Sequence, residues 1–230
     1  INVIKNKKYI DLFYLDRKPY SNMQIIKMWR RELLIFPKFL IKNIKLANKF
    51  FPGHKKYEIN NNTQGDRDIH NLYEKYSPHI KFTNEEKIKG ALLLKNLGIP
   101  ENRKFICLIV RDEKYLKKHI PWFEGNYHSH RNSDIETYKF AAKELAKLGF
   151  YVLRMGVNVE KVFNCDDPKI IDYANSEFRS EFGDVYLGAN CHFCISTHTG
   201  FDGIPQIFNR PILFTNLVPI GFLPSWCKNS

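Results

Sequence analysis

The sequence predicts an α/β fold: a parallel sheet with helices on both faces over residues 83–230, preceded by a partial, helical and basic region over residues 1–82. Three observations predict it. After residue 100 the apolar runs KFICLIVRD, FYVLRMG, CHFCIST and PILFTN recur. None shows the apolar/polar alternation of a strand with one wet face, so each reads as a strand covered on both sides. Capped helical patterns separate these runs, and strands that alternate with helices need crossovers, which place parallel neighbours in one sheet. The charge is also divided. Residues 1–56 carry 14 Lys/Arg against 3 Asp/Glu and the remainder 22 against 21, so nearly all of the net +12 is N-terminal.

In chain order, Tyr9–Leu15 reads as a strand and Ser21 as the N-cap of a helix through Met28, Trp29 and Leu33. The lysine-rich segment after Pro37 is a second helix, ended by Pro52-Gly53. EINNNTQGDRDIHNLYEKYSP is polar and turn-rich and reads as the connection between the two regions. Thr83-Asn-Glu-Glu86 has the spacing of a capping box and opens a helix to Leu97, which Gly98 stops with Pro100 beyond. KFICLIVRD is then a buried strand, and Ser133-Asp-Ile-Glu136 caps a helix that ends at Gly149. FYVLRMG and KIIDYA read as strands, SEFGDVYLGA as a short helix, CHFCIST as a strand, Asp202–Asn209 as a helix and PILFTN as the last strand.

With 43% hydrophobic and 14% aromatic residues, the chain can bury a sizeable core and is not disordered. It lacks an initiator Met and reads as a fragment of a longer chain. The five cysteines, at 107, 165, 191, 194 and 227, are odd in number and widely spread, which suggests a reducing compartment rather than a disulfide scaffold. Cys191-His-Phe-Cys194 has the form of half a zinc site. No second pair has matching spacing, so core thiols are expected there and no metal. No apolar run approaches the roughly 20 residues of a membrane span, and no signal peptide is visible. The expected location is cytoplasmic, at the inner face of the cytoplasmic membrane.

Within the basic region, FPKFLIKNIKLANKFFPG interleaves Phe36, Phe39, Leu40, Ile44, Phe50 and Phe51 with Lys38, Lys42, Lys45 and Lys49. Two readings fit: a basic amphipathic helix in peripheral contact with an anionic membrane, or a core helix with a solvated lysine face. Nucleic acid is not expected as a partner, because no RNP, helix-turn-helix or zinc-finger pattern accompanies the charge.

Open parallel sheets bind ligands outside the carboxyl ends of their strands. There this sequence places Arg111 and Asp112, Arg154 and Gly156, Asp172, Ser196 to Gly200 with Thr197 and Thr199, and Thr215-Asn216. Residues 191–216 run from a buried strand into a Ser/Thr/Gly turn, a short helix starting near Asp202 and another apolar strand. That layout can cradle a phosphate on backbone N–H groups and a helix N-terminus, or it can be an ordinary strand–turn–helix. It is neither a Walker loop nor a GxGxxG fingerprint. Arginines that converge on one sheet edge favour an anionic ligand over scattered surface ion pairs.

The run Tyr127-His-Ser-His-Arg-Asn-Ser-Asp134, then Tyr138, Tyr151-Val-Leu-Arg-Met-Gly156, Ile171-Asp-Tyr-Ala174 and Ser196-Thr-His-Thr-Gly200, resembles a family of bacterial glycosyltransferases encoded with surface-polysaccharide genes. The likeness extends to DLFYLDRKPYSN and to GDRD at 65–68. Val110-Arg111-Asp112 is similar to the Arg-bearing strand end of fucosyltransferases that use GDP-fucose, and Thr199-Gly200-Phe-Asp202 to the TG turn of heptosyltransferases. The resemblance implies a GT-B-like arrangement, in which residues 83–230 are the Rossmann-like nucleotide-sugar-binding half and residues 1–82 part of an acceptor-side region. It implies a nucleotide-sugar donor as co-substrate, no resident cofactor, and a glycan or lipid-linked acceptor.

A transferase of this kind must neutralise a departing diphosphate, which GT-B enzymes do with Arg/Lys and helix N-termini. Arg111 and Arg154 are expected as charge clamps, Ser196, Thr197, Thr199 and Gly200 as an N–H nest, and Arg131, Gly156 and Asp202 as further donor contacts. No Asp-x-Asp element stands at a strand end, so a metal-independent mechanism is expected. The general-base candidates are His128, His130, Asp112 and Asp134. Asp134 and Asp202 also suit helix caps. Rival expectations are an NDP-sugar epimerase or hydrolase, whose sheet and diphosphate site would look alike, and a non-catalytic nucleotide- or glycan-binding module docked on a membrane.

Overall fold

The computed structural model describes residues 10–16, 20–58, 68, 72–119 and 129–223. Contacts divide the chain into Ile1–Arg67 with His79–Lys81, and Asp68–Pro78 with Phe82–Ser230. The first unit is a β–α–β segment. Strands β1 (Leu12–Tyr14) and β2 (Leu34–Phe36) pair in parallel, with Leu12 opposite Leu34 and Tyr14 opposite Phe36, and helix α1 (Met23–Glu32) connects them. The N-cap of α1 is Asn22 and not the expected Ser21. The Asn22 backbone is extended and its side chain accepts from the N–H groups of Gln24 and Ile25 at 2.9 and 3.2 Å. Strand β2 was not expected. It forms because Leu33 leaves the helix in an extended conformation and Phe36, directly before Pro37, is biased to the same extended backbone. Helix α2 (Lys38–Asn48) follows. Among the described residues, Met28, Ile41 and Ile80 are the buried apolar side chains of this unit, a thin core.

The second unit opens with the short α3 (Leu72–Lys75) and with α4 (Asn84–Asn96). Thr83 and Glu86 form the expected capping box, Glu86 N–H to Thr83 Oγ1 at 3.2 Å and Thr83 N–H to the Glu86 carboxylate at 2.9 Å. Gly98 ends the helix with φ +73°. Then come β3 (Phe105–Ile109), α5 (Lys114–His119), α6 (Lys139–Lys147), β4 (Tyr151–Arg154), β5 (Ile170–Ile171), α7 (Glu181–Asn190), β6 (Cys194–Ser196), α8 (Gly203–Ile207) and β7 (Ile212–Phe214). The five strands form one sheet in the order β5-β4-β3-β6-β7, every pairing parallel.

Strand β3 explains the two-sided core. Phe105, Cys107 and Ile109 point to one face, where Leu93 and Leu97 at the end of α4 and Leu187 of α7 pack on Leu153 and Met155. Ile106, Leu108 and Val110 point to the other, against Ala142 and Ala146 of α6 and Val152, Phe163 and Ile195. All of these side chains are buried, and each large one contributes about 1.5–3 kcal/mol relative to exposure. The small Ala142 and Ala146 let α6 lie close to the sheet.

The expected strands are shorter in the structure, CHFCIST keeping only Cys194–Ser196 because Cys191 caps α7, and three elements change most. KIIDYA yields only Ile170–Ile171, because it pairs with β4 alone at the sheet edge. The helix before Gly149 begins as a 3₁₀ turn, Ile135–Tyr138, capped by Asp134. The helix expected from Asp202 is preceded by a 3₁₀ turn, Gly200–Asp202, capped by Thr199, and runs only from Gly203 to Ile207. Helix α5 was not expected.

Candidate functional site

Strand order runs outward from β3 through β4 to β5, then returns across β3 to β6 and β7. The reversal therefore lies between β3 and β6, and the crevice outside the carboxyl ends at such a reversal is where open α/β sheets hold ligands. Val110, Arg111 and Asp112 leave β3 there, and Thr197 and His198 leave β6. Thr197 Oγ1 accepts from the Arg111 N–H at 2.8 Å, and Thr197 N–H donates to Ile109 O at 3.2 Å, so the two exits are fastened together.

The segment 131–134 is laced over this edge. Ser133 N–H donates to Arg111 O at 3.1 Å. Asn216, just past β7, donates its side-chain amide to Ser133 Oγ at 2.7 Å, and Tyr138 and Thr215 share a hydroxyl hydrogen bond of 2.9 Å. Arg131 donates from one guanidinium nitrogen to both the carbonyl and Nδ1 of His198, each at 2.8 Å. Residues from four loops, about 20 to 85 positions apart in sequence, thus meet at one edge.

Two guanidinium groups there make no ion pair among the described residues, although each has a carboxylate within electrostatic range, Glu113 for Arg111 and the buried Asp202 for Arg131. Burial, and then the charge of Arg131, push the Arg111 side chain below its ordinary pKa. The Nε atoms of Arg111 and Arg131 are buried without a hydrogen-bond partner. Glu113 is the carboxylate that acts on Arg111, but it is engaged by Lys117 at 2.8 Å and by the Asn132 amide at 2.8 Å. Two guanidinium groups close enough to repel each other, with no ion pair between them and any described carboxylate, favour an anion at this half-buried edge.

His198, inside the expected Ser196–Gly200 turn but given no role of its own there, is the linchpin of the β6 turn. Its φ is +62°, a left-handed conformation that only a few per cent of non-glycine residues adopt, and strain of this kind persists where the surroundings over-determine it. Arg131 grips it from one side, and its N–H donates to Ser196 Oγ at 3.0 Å from the other. Ser196 in turn donates to Asp202 at 2.6 Å, Thr199 N–H donates to Asp202 at 2.9 Å, and Phe201 N–H donates to Thr199 Oγ1 at 3.3 Å. Asp202 is 4% exposed and burial lifts its pKa to about 6. Of the N–H groups expected to form a phosphate nest, those of Thr197 and Thr199 are spent on Ile109 O and Asp202, and the neighbouring His198 and Phe201 N–H groups bond to the turn's own side chains. With a five-residue helix behind them, the charge this edge offers a ligand is carried by guanidinium groups rather than by a helix dipole.

Arg154 is placed differently from Arg111. It is 1% exposed and pairs with Asp172 at 3.3 Å and Asp112 at 4.0 Å. Asp172 also accepts from Phe163 N–H and the Asn175 amide, at 2.8 and 2.7 Å. Asp112 accepts from Lys114 N–H at 3.0 Å and Glu160 N–H at 2.9 Å. Gly156 turns the chain just past β4 with φ +146°, and a Cβ there would lie 2.5 Å from Val159 Cγ1, so no other residue fits. Asp112 and Arg154 help to wall a cavity of about 300 Å³, lined also by Ser133, Asp134, Glu160 and Lys161, among others. Arg111 and Asp112 are consecutive: the first belongs to the crevice on the β6 side, the second to the cavity on the β4 side.

Of the general-base candidates, His128 lies outside the described residues and His130 is exposed at the start of the laced segment. Asp134 caps the turn before α6 and pairs with Lys161 at 2.7 Å, which holds its carboxyl below the usual range. Asp112 borders the cavity with a carboxylate that still has free lone pairs. Cys107, Cys191 and Cys194 are all fully buried, and Cys107 and Cys194 are register partners across β3 and β6. Among the described residues, no group of three or more His, Cys, Asp or Glu is placed to hold a metal ion. No protein-family model, curated protein or solved structure matches the chain.

Proposed function

We propose that this protein is a GT-B-like glycosyltransferase that moves a sugar from a nucleotide-sugar donor to a cell-surface polysaccharide or lipid-linked glycan acceptor. The observation that carries the reading is the Arg111–Arg131 pair, two guanidinium groups that make no ion pair among the described residues and keep unbonded buried Nε atoms at the strand-order reversal. A diphosphate fits that deficit, because guanidinium forks bind phosphate oxygens bidentately and remain charged at every working pH. The adjoining cavity, of about 300 Å³ and lined by carboxylates, a hydroxyl and two cations, suits a hydroxyl-rich sugar.

In this reading the acceptor hydroxyl attacks the anomeric carbon as the bond to the diphosphate breaks. Arg111 and Arg131 stabilise the charge that develops on the leaving phosphate, and Asp112 or His130 takes the acceptor proton. The sheet alone would serve an epimerase or a silent binding module equally well, so the test must separate them. The protein is incubated with a panel of nucleotide sugars, with and without lipid-linked acceptor, and free nucleotide is measured. Release that depends on acceptor is expected. Interconversion of donors without acceptor, or binding with no turnover on any donor, would overturn the proposal.

A further inference from the structure

Helix α2 and the turn after it carry a surface that the proposed transfer chemistry does not use. Residues 37–57 contain six lysines and no Asp or Glu. At about 100° per residue, Phe39, Leu40, Ile44 and Leu46 share an arc of roughly 160°. None of them is covered: Phe39 is 70% exposed and Leu46 58%, and the arc continues into Phe50 at 85% and Phe51 at 65%. Lys38, Lys42, Lys45 and Lys49 occupy an adjacent arc of roughly 60°. Ile41, on the remaining side, is buried and anchors the helix to its own unit.

This is the reverse of a core helix, which would bury its aromatic arc. Two of the lysines are neutralised internally, Lys38 by Asp16 and Lys45 by Glu58 at 3.2 Å. Lys42, Lys49, Lys55 and Lys56 make no ion pair among the described residues and are exposed, the first two on the helix arc beside the apolar one and the last two in the turn that follows Phe50 and Phe51. Exposed Phe side chains gain most where they leave water altogether. Lysines beside them gain where an apolar medium ends in a layer of negative charge, which their long stems can reach.

We propose that the α2 face, Phe39, Leu40, Ile44, Phe50 and Phe51 with Lys42, Lys49, Lys55 and Lys56, docks on the surface of an anionic lipid bilayer. The helix lies in the interfacial plane, its apolar arc reaching the acyl boundary and its free lysines at the level of the headgroups. The partner is lipid because the charge is one-sided and the apolar arc is broad and shallow. No helix among the described residues is long and apolar enough to cross a membrane, so this contact is peripheral.

The full chain is sedimented with vesicles of phosphatidylcholine containing about one-third phosphatidylglycerol, and with phosphatidylcholine vesicles alone. Binding is expected to the anionic vesicles and to fall at least about tenfold when NaCl rises from roughly 50 to 500 mM, since the lysine attraction is screened within a Debye length. Two variants separate the contributions. Combined Lys42→Glu, Lys49→Glu, Lys55→Glu and Lys56→Glu lowers the partition coefficient at least about tenfold and removes the salt dependence. Combined Phe39→Ser, Phe50→Ser and Phe51→Ser lowers it by a similar factor at unchanged charge. Because all seven side chains are exposed, circular dichroism and nucleotide binding stay as in the unaltered chain. Absence of salt-sensitive binding, or binding that survives both variants, overturns the proposal. So does a self-association in analytical ultracentrifugation that the Phe variant abolishes while vesicle binding is unchanged.

Discussion

Replacing Asp202 by Asn should flatten part of the pH dependence of folding stability, with a sign opposite to that of an ordinary surface carboxylate. Asp202 is 4% exposed and burial lifts its pKa from 3.8 to about 6. A group whose folded pKa is raised contributes most below its unfolded pKa and loses that contribution as pH rises through the folded value. At pH 7.5 the buried charge therefore costs about 3 kcal/mol, from roughly two pKa units at 1.36 kcal/mol each, and about half of this is recovered by pH 5. Asn keeps an acceptor for the Thr199 N–H and offers an amide to Ser196, so the turn retains its bonds while the titration disappears. Urea unfolding of the wild type and Asp202→Asn at pH 5, 6, 7 and 8 reads this directly. The stability difference between the two should change by about 1.5 kcal/mol between pH 7.5 and 5, in favour of the wild type as pH falls. Taking the difference cancels the histidines and also Asp184, whose pKa burial likewise raises to about 6. A constant difference across this range would refute the claim that Asp202 is held as a buried, hydrogen-bonded carboxylate.

Arg154→Ala should destabilise the fold by about 3–5 kcal/mol, because it strands Asp172 and Asp112 beside a cavity, whereas Arg111→Ala should change stability by less than about 1 kcal/mol. Chemical denaturation of the two variants in parallel distinguishes the structural arginine from the ligand-facing one. Thr83→Ala removes half of the α4 capping box and should lower stability by about 1 kcal/mol, measured the same way. Cys107 and Cys194 are fully buried with thiols pushed well up by burial. Neither should react with a disulfide reagent at pH 8 until denaturant unfolds the protein, and mass-mapping of labelled peptides checks this.

The strands that build the second unit were legible because burial on both faces leaves a plain apolar run, as in Phe105–Ile109, and because Gly98 and Gly149 punctuate the helices between them. Strand β5 was over-read: an edge strand pairs on one side only, and KIIDYA holds its ladder for two residues. At the candidate site, strand-end position was the useful signal. It brought Arg111, Ser196, Thr197 and Asn216 to one edge together with Ser133. It could not tell Arg111 from Arg154, which look alike in sequence. The difference is made by Asp172 and Asp112, 18 and 42 positions away, which converge on Arg154 only through the pairing of β3, β4 and β5. His198 carries no local warning either, since its left-handed backbone is imposed by Arg131 from 67 positions away.

The central claim is that the Arg111–Arg131 edge holds the diphosphate of a nucleotide sugar, and calorimetric titration with nucleoside diphosphates tests it most directly. The wild type should bind. Arg111→Ala and Arg131→Ala, shown to be folded, should each lose about 1.5–3 kcal/mol, a rise in Kd of roughly 10- to 150-fold, the range for charge-assisted hydrogen bonds. Unchanged affinity in both folded variants would contradict the account and place the anion elsewhere.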